Sequence, residues 1–390
     1  MKIVFVLPVL TVGGGIRVVF EYGTQLQRRG CTVFVVYPLI PPFALRLFKQ
    51  QGLKNTVKKS LVALKRRQFP LKTTATLLEV PLLSTRILNY KVPDADVVIA
   101  TGWETALPVY KLAKQKGEKF YFIQHYEIFD VWNDYASWED AEKVETDSSR
   151  LCLAMADIIP RNRSLRTVKE LVDATYKLPL KKITISNWLK ELLEEKFHQK
   201  VEGVVANGVD FSRFDCGDKQ LSSGAKRVLA MYSPVKWKGT EDSIKAFELV
   251  KKLYPDIEFT MYGVVKGKLP GWIKFYENPS PEMLSKLYCS ADIFVSSSWV
   301  EGFHLPPMEA MACKCAVVAT NVDAVPDYAI SGETALIVPP RRHEELAKAI
   351  MKLIEDNTLL RSIAENGFNC IKEFTWEKAT DKLEAILKMK

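Results

Sequence analysis

Short continuous apolar runs alternate with longer amphipathic stretches along this chain. Lys2–Leu7 is apolar at nearly every position, as expected of a parallel strand covered on both faces. A glycine turn follows, then helical spacing from about Ile16 to Arg28, closed by Gly30, and a second apolar run at Cys31–Tyr37. Asp96–Ala100 and Lys119–Gln124 read as strands, with a helix near Glu104–Lys116 between them. Ile183–Ser186 and Gly203–Ala206 read as short strands flanking a helix over Trp188–Phe197, and the run ends in the turn signal Asn207-Gly208-Val209-Asp210. The pattern then restarts. Arg227–Tyr232 predicts a strand and Thr240–Leu253 a helix, followed by strands at Glu258–Tyr262, Ile273–Tyr276, Ile293–Ser296, Ala316–Ala319 and Ala335–Val338 with helices between them. A last helix, Trp376–Leu387, follows a turn at Phe374-Thr375. Alternating βα units, twice over, predict an α/β protein with two doubly wound parallel sheets and a junction near Asn207–Gly217. The rhythm breaks only between Trp132 and Arg166, where an acidic stretch precedes Arg161, Arg163 and Arg166; 132–166 reads as an insertion.

Length and composition agree with this layout. The 390 residues suit two domains, and 47% hydrophobic with 26% charged residues is ordinary for globular cores. No stretch approaches the roughly 20 apolar residues of a membrane span, and the opening Met1–Pro8 reads as a buried strand rather than a secretory leader. Seven scattered cysteines predict reduced thiols in a cytoplasmic protein, not a disulfide framework, and Cys313 and Cys315 lack a zinc spacing. The net charge of +9 is unevenly placed. No acid lies between Glu21 and Glu79, while Arg46, Lys49, Lys54, Lys58, Lys59, Lys65, Arg66, Arg67 and Lys72 interleave with apolar side chains such as Leu47 and Phe48. Residues 43–72 read either as a basic amphipathic helix for an anionic membrane surface, making the protein peripheral on the inner face, or as a solvated helical face. No recognition motif for nucleic acid accompanies the charge.

The densest chemical signal is Ser298-Trp299-Val300-Glu301-Gly302-Phe303-His304-Leu305-Pro306-Pro307-Met308-Glu309-Ala310-Met311-Ala312. It follows the strand Ile293–Ser296, and Pro307 suits the first position of a helix because its missing N–H would be unpaired there. Gly302 allows close backbone approach to a ligand, and the free N–H groups of the helix start suit a diphosphate. Glu301 on the loop and Glu309, expected in the first helical turn, are placed to accept bonds from sugar or ribose hydroxyls; alternatively they are a surface acid and a helix N-terminal charge. His125 follows a buried strand at its carboxyl end, where open α/β sheets place ligands, or is structural there. Asp94-Ala95-Asp96 has the look of a metal motif but leads directly into a strand, so it reads as a turn and no metal site is expected. Gly13-Gly14-Gly15 is not the Gly-x-Gly-x-x-Gly of a dinucleotide dehydrogenase.

With these residues in view, the sequence resembles family 4 of the retaining glycosyltransferases, which have the GT-B fold of two Rossmann-like domains facing a central cleft. The resemblance rests on the Glu301/Glu309 pair within Glu-Gly-Phe-x-Leu-Pro-x-x-Glu-Ala-Met-Ala, on Gly13-Gly14, Ser186-Asn187-Trp188, Asn207-Gly208-Val209-Asp210, Lys238-Gly239, Gly332-Glu333-Thr334-Ala335 with Pro339-Pro340, and Phe374-Thr375-Trp376. It implies an acceptor-side domain at 1–209, a donor-side domain at 210–374, and a helix at 375–390 returning to the first domain. It also implies that Gly14 and Gly15 offer backbone N–H groups to the donor, that Lys238 neutralises the diphosphate in place of a metal, and that Glu309 holds the donor ribose. Glu301, with the backbone of Gly302 and Phe303, would contact the transferred sugar, as would His125; Asn278 would lie near the base. The family arginine six residues before the lysine is Tyr232 here; Lys236 either supplies the second positive charge or is a solvated loop residue.

The expected function is therefore metal-independent transfer of a sugar, with retention, from a nucleotide diphosphate sugar to a saccharide or lipid-linked acceptor, with no cofactor. Two rivals share the architecture: a non-catalytic scaffold or regulatory protein, and a sugar-nucleotide epimerase, which needs no acceptor.

Overall fold

The apolar runs become the strands of two all-parallel sheets in this computed structural model, which describes residues 1–10, 13–42, 73–128, 168–222, 224 and 226–389. The basic stretch at 43–72 and the insertion expected at 132–166 lie outside the described residues. The described residues fall into two compact units, one of residues 1–128, 168–206 and 379–389, the other of 207–378. Among them, no helix is long and apolar enough to cross a membrane.

The first unit is built on β1 (Lys2–Val6), β2 (Thr32–Pro38), β3 (Thr76–Val80), β4 (Val97–Ala100), β5 (Glu118–Ile123), β6 (Lys181–Thr184) and β7 (Val201–Val204). Their order is β3-β2-β1-β4-β5-β6-β7. Ile3 pairs with Val33 on one side and Val97 on the other, and all three side chains are buried. A strand in mid-sheet has helices on both faces, which is why it is written as continuous hydrophobic sequence. The second unit repeats the plan with β8 (Arg227–Met231), β9 (Glu258–Gly263), β10 (Ile273–Glu277), β11 (Ile293–Ser296), β12 (Ala316–Thr320) and β13 (Leu336–Val338), ordered β10-β9-β8-β11-β12-β13. In each sheet the order reverses beside the first strand, between β1 and β4 and between β8 and β11. Open α/β sheets gather ligands at the carboxyl side of such a reversal. The two Rossmann-like sheets make this the GT-B fold.

The sequence reading differs from the structure in several places. β3 was not expected: four of its five residues are exposed or half-buried, as suits an edge strand without a continuous apolar signal. The helix expected to run to Lys116 stops at Tyr110, and a 3-10 turn follows at Lys114–Lys116. The helix expected over Trp188–Phe197 is α-helical only at Asn187–Glu191 and widens into a π-turn over Leu192–Lys196. The thiols are not all reduced. Cys216 and Cys289, 73 positions apart in the chain, form a disulfide that no local spacing foretold.

The segment entering the second unit is held by close backbone approach. A Cβ on Gly208 would stand 2.2 Å from the Trp376 amide nitrogen, so only glycine fits where Asn207-Gly208 passes the start of the last helix, Trp376–Lys388. Farther along, that helix meets the first unit: Arg29 reaches Asp381 at 2.5 Å and Glu384 at 3.4 Å.

A buried charge of the second unit, Asp292, stands just before β11 with several donors around it. Its carboxylate accepts from the Ser222 and Arg227 amides at 2.8 and 2.9 Å and from Arg227 Nε and Nη2 at 3.1 and 2.9 Å. Burial pushes its pKa up, but the Arg227 fork and the two amides outweigh this and hold it below the usual carboxylate range. Asp292→Asn should lower unfolding stability by about 2–3 kcal/mol in urea titration. That is less than for a wholly buried pair, since Arg227 keeps 38% of its side chain exposed. Unchanged stability would show that Asp292 does not brace the β8–β11 edge.

Candidate functional site

In the second unit the predicted residues converge after β8 and β11. The chain leaves β8 through Tyr232 and makes a 3-10 turn at Lys236–Lys238, capped by Gly239 in the left-handed region at φ 61°. A Cβ there would lie 1.9 Å from the Ser297 carbonyl oxygen, so glycine lets this turn press against the loop that follows β11. Ser297 Oγ donates to the Gly239 carbonyl at 2.6 Å, and the Trp299 amide donates to the Trp237 carbonyl at 2.7 Å. The two loops are thus tied backbone to backbone.

That tie brings Lys238 to Glu301. Lys238 Nζ donates to Glu301 Oε1 at 2.7 Å, and Ser298 Oγ donates to the same oxygen at 2.7 Å. Among the described residues, Oε2 of Glu301 accepts no hydrogen bond. The Glu301 amide donates to Asp323 Oδ2 at 2.5 Å. Burial would raise the Glu301 pKa, but the Lys238 ammonium, the His304 ring and the hydrogen bonds from Lys238 and Ser298 hold it at about 2. Asp323 goes the other way: burial raises it to about 7, because its main partner is an amide and Glu301 is a neighbouring negative charge. His304, in the left-handed region at φ 73°, is 3% exposed, and its Nε2 meets Ser296 Oγ at 2.6 Å. Burial lowers its pKa to about 4, so it is neutral at pH 7.

The helix after this loop begins at Leu305, with Pro306 and Pro307 in its first turn. Glu309 therefore lies one turn inside, not in the first turn as expected. It is buried, and the Tyr288 hydroxyl, itself paired with Tyr262 at 2.6 Å, donates to it at 3.2 Å. Gly302 and Phe303 are buried within the loop, and the Phe303 ring packs against Tyr328 at 6.0 Å. Lys236 is exposed on its turn. Asn278 is exposed just after the edge strand β10, with its amide bonded to the Gly263 carbonyl at 2.6 Å. Tyr232 packs edge-on against Phe275 at 5.7 Å, with its hydroxyl over Gly267, so it fills space where the resembled family has a charge.

In the first unit Gly14 and Gly15 are exposed at the start of the helix Gly14–Arg28, after β1. A Cβ on Gly15 would lie 3.3 Å from Gln124 Oε1, which follows β5. His125 is half-buried beside it; its Nδ1 meets the Tyr126 carbonyl at 2.8 Å and its ring faces Trp188 edge-on at 6.5 Å. The sequence reading missed a carboxylate pair at the same edge. An oxygen of Glu127 and one of Glu104 lie 3.4 and 3.5 Å from where a Gly102 Cβ would stand. Glu127 Oε2 accepts from the Trp103 amide at 2.7 Å. Burial pushes Glu104 up to about 7 and, with the Glu104 charge, pushes Glu127 well above the usual range. No spacing signals this pair, since Glu104 opens the helix after β4 and Glu127 lies in the loop after β5; nor does any signal Asp323, which follows β12.

The family model for glycosyl transferases group 1 matches residues 217–369. An O-antigen chain mannosyltransferase B of Escherichia coli is 32% identical over 117 residues, 30% of this chain and 30% of that one. An uncharacterized glycosyltransferase of Methanocaldococcus jannaschii is 28% identical over 223 residues, 52% of this chain and 57% of that one. The chain thus matches between about a third and somewhat over half of the length of these curated relatives. Among solved structures, HepE of Anabaena in complex with UDP superposes with a TM-score of 0.70 at 15% identity, covering 99% of each chain. Sucrose-phosphate synthase of Thermosynechococcus elongatus gives 0.68 at 17%, covering 99% of this chain and 98% of that one. These show the fold. By sequence over much of its second unit, and by fold over nearly its whole length, the chain is similar to glycosyltransferases.

The carboxylate pair generates a pH prediction. A carboxyl whose pKa is raised in the folded state binds its proton more tightly there than in the unfolded chain. Its contribution therefore falls as pH rises from the ordinary value of 4.5 toward 7. Glu104→Gln should remove this slope: the variant's melting temperature should gain on the wild type by a few degrees across that window. A difference that stays flat with pH would refute the raised pKa.

Proposed function

We propose that this protein transfers a sugar from a nucleoside diphosphate donor to a saccharide or lipid-linked acceptor, with retention of configuration and without a metal ion. One observation supports this most: the Lys238–Glu301 pair stands beside a helix start at the carboxyl edge of the sheet reversal between β8 and β11. Breaking the bond between donor sugar and diphosphate builds negative charge on the phosphate and positive charge on the sugar ring. Lys238 has three N–H donors, and Glu301 takes one of them, so the ammonium can also serve a phosphate oxygen. The helix beginning at Leu305 adds its partial positive end, and Lys236 a second charge on the same turn.

Glu301 Oε2 is the acceptor for a hydroxyl of the transferred sugar, with the amides of Gly302 and Phe303 as donors. Glu309, kept in place by Tyr288, accepts from the donor ribose. Glu301 is ionised and already engaged with Lys238, which suits it to positioning rather than covalent attack. The acceptor's proton then passes to a departing phosphate oxygen on the same face of the sugar, and configuration is retained. In the first unit Gly14, Gly15 and His125 share the carboxyl edge of one sheet, where we place contacts to substrate. Residues 43–72 would attach the protein reversibly to an anionic membrane surface, each Lys or Arg contributing on the order of 1 kcal/mol.

A panel of nucleotide sugars screened by thermal shift should identify the donor, since a ligand bound only to the native state raises apparent stability. With that donor, turnover should survive EDTA. Glu309→Ala should weaken donor binding about tenfold or more, and Lys238→Ala should cut kcat by about a hundredfold, with both variants folded. Tight donor binding by Glu309→Ala, full turnover by Lys238→Ala, or activity that needs added Mg²⁺ or Mn²⁺ would each overturn the corresponding assignment. Wild type should pellet with anionic vesicles at low salt, and replacing Lys58, Lys59, Arg66 and Arg67 with Glu should abolish this. Equal pelleting would leave the charge as a solvated face.

A further inference from the structure

Three sulfur atoms from separate parts of the second unit meet at one place. The Sγ atoms of Cys216, Cys289 and Cys313 all lie within 4.8 Å of one another, the one such group of potential metal ligands among the described residues. Cys216 belongs to the segment entering the unit, Cys289 to the helix Pro281–Ser290, and Cys313 caps the carboxyl end of the helix Leu305–Ala312. The first two are joined and half-buried, while the third is a buried thiol that points at the Phe214 carbonyl at 3.6 Å. A fixed cation stands beside them: Lys219 Nζ donates to the carbonyls of Cys313 and Tyr288 at 2.7 and 3.2 Å and to Cys315 Sγ at 3.2 Å.

A disulfide alone accounts for two sulfurs and gives no reason for the third or for the lysine. Cys313 as a small apolar core residue would account for its burial but not for its place against the other two. Three thiolates are a donor set for a soft or borderline cation. Zinc–sulfur bonds of about 2.3 Å in tetrahedral geometry set sulfurs about 3.8 Å apart. The present sulfurs, all within 4.8 Å of one another, are already near that spacing. Three thiolates and Zn²⁺ carry one net negative charge, which Lys219 balances.

We propose that the reduced protein binds one thiophilic divalent cation through Cys216, Cys289 and Cys313. The site would then close in two alternative ways, as a disulfide beside a thiol or as a metal thiolate. Opening takes a small-molecule dithiol: it gives two electrons and two protons to the Cys216–Cys289 bond and is itself oxidised to a disulfide. Binding of Zn²⁺ then releases the three thiol protons to solvent, with no change in oxidation state. The disulfide fastens the entering segment to the helix Pro281–Ser290, and the metal would fasten it to the helix Leu305–Ala312 as well. Of these, one places Tyr288 and the other carries Glu309.

The full chain, reduced with dithiothreitol and desalted without oxygen, is titrated with Zn²⁺ against a chromophoric chelator. The reduced wild type should take up one equivalent and the oxidised protein none. Cys313→Ser, which leaves the disulfide pair intact, should weaken uptake tenfold or more, while Cys370→Ser should bind as wild type does. With Co²⁺, the wild type should show thiolate-to-metal charge-transfer absorbance that Cys313→Ser lacks. If Cys313→Ser does not fold, the half-buried Cys289→Ser should show the same loss. No uptake by reduced wild type, unchanged affinity in a folded Cys313→Ser or Cys289→Ser, or uptake that depends on Cys370 would overturn the proposal.

Discussion

A parallel sheet must be covered on both faces, and this requirement decides where polar chemistry can lie in either unit. A strand such as β4, buried from end to end, offers no side chain to a ligand. Polar chemistry is therefore displaced to the strand ends, and the carboxyl ends beside each reversal of strand order are the ones left open by the crossover helices. Gly14 and Gly15, Glu104, Gln124 and His125 lie at such ends in the first unit, and Lys238, Glu301 and Asp323 in the second. These residues are far apart in sequence, and the sheet brings them to a common edge in each unit.

The same constraint explains what was legible in the sequence. Apolar runs announced the central strands because burial on both faces fixes their composition. The Glu301-to-Ala312 segment was legible because one loop and one helix carry it in continuous sequence. The rest came through tertiary pairing. β3 is an edge strand with little to bury. Asp323 reaches the site from the loop after β12 and acts on the Glu301 amide, and Glu104 and Glu127 meet from the segments that follow β4 and β5. Cys216 and Cys289 pair across 73 positions, so counting cysteines gave no warning. Glu309 fell one turn deeper than expected because the helix starts at Leu305, before both prolines.

Charge in the second-unit site is arranged so that few groups need be ionised at once. Glu301 is held ionised at a pKa of about 2 by Lys238 and the groups around it, while burial keeps His304 neutral with a pKa of about 4. Asp323, raised to about 7, avoids a second full negative charge beside Glu301 below neutrality. Within this cluster the charges of Lys238 and Glu301 nearly cancel before any ligand arrives. An incoming anion would thus meet no strong net repulsion there, and it would find the remaining N–H donors of Lys238, the nearby Lys236 charge and the start of the helix at Leu305. Replacing Lys238 therefore does two things at once: it removes a partner for the anion and strands the buried Glu301 carboxylate. Glu301 would be expected to take up a proton at higher pH in such a variant, because burial would then be opposed only by the His304 ring and Ser298. The two glutamates of the motif are accordingly not equivalent. Glu301 owes its charge to Lys238, whereas Glu309 is buried with the Tyr288 hydroxyl as a donor.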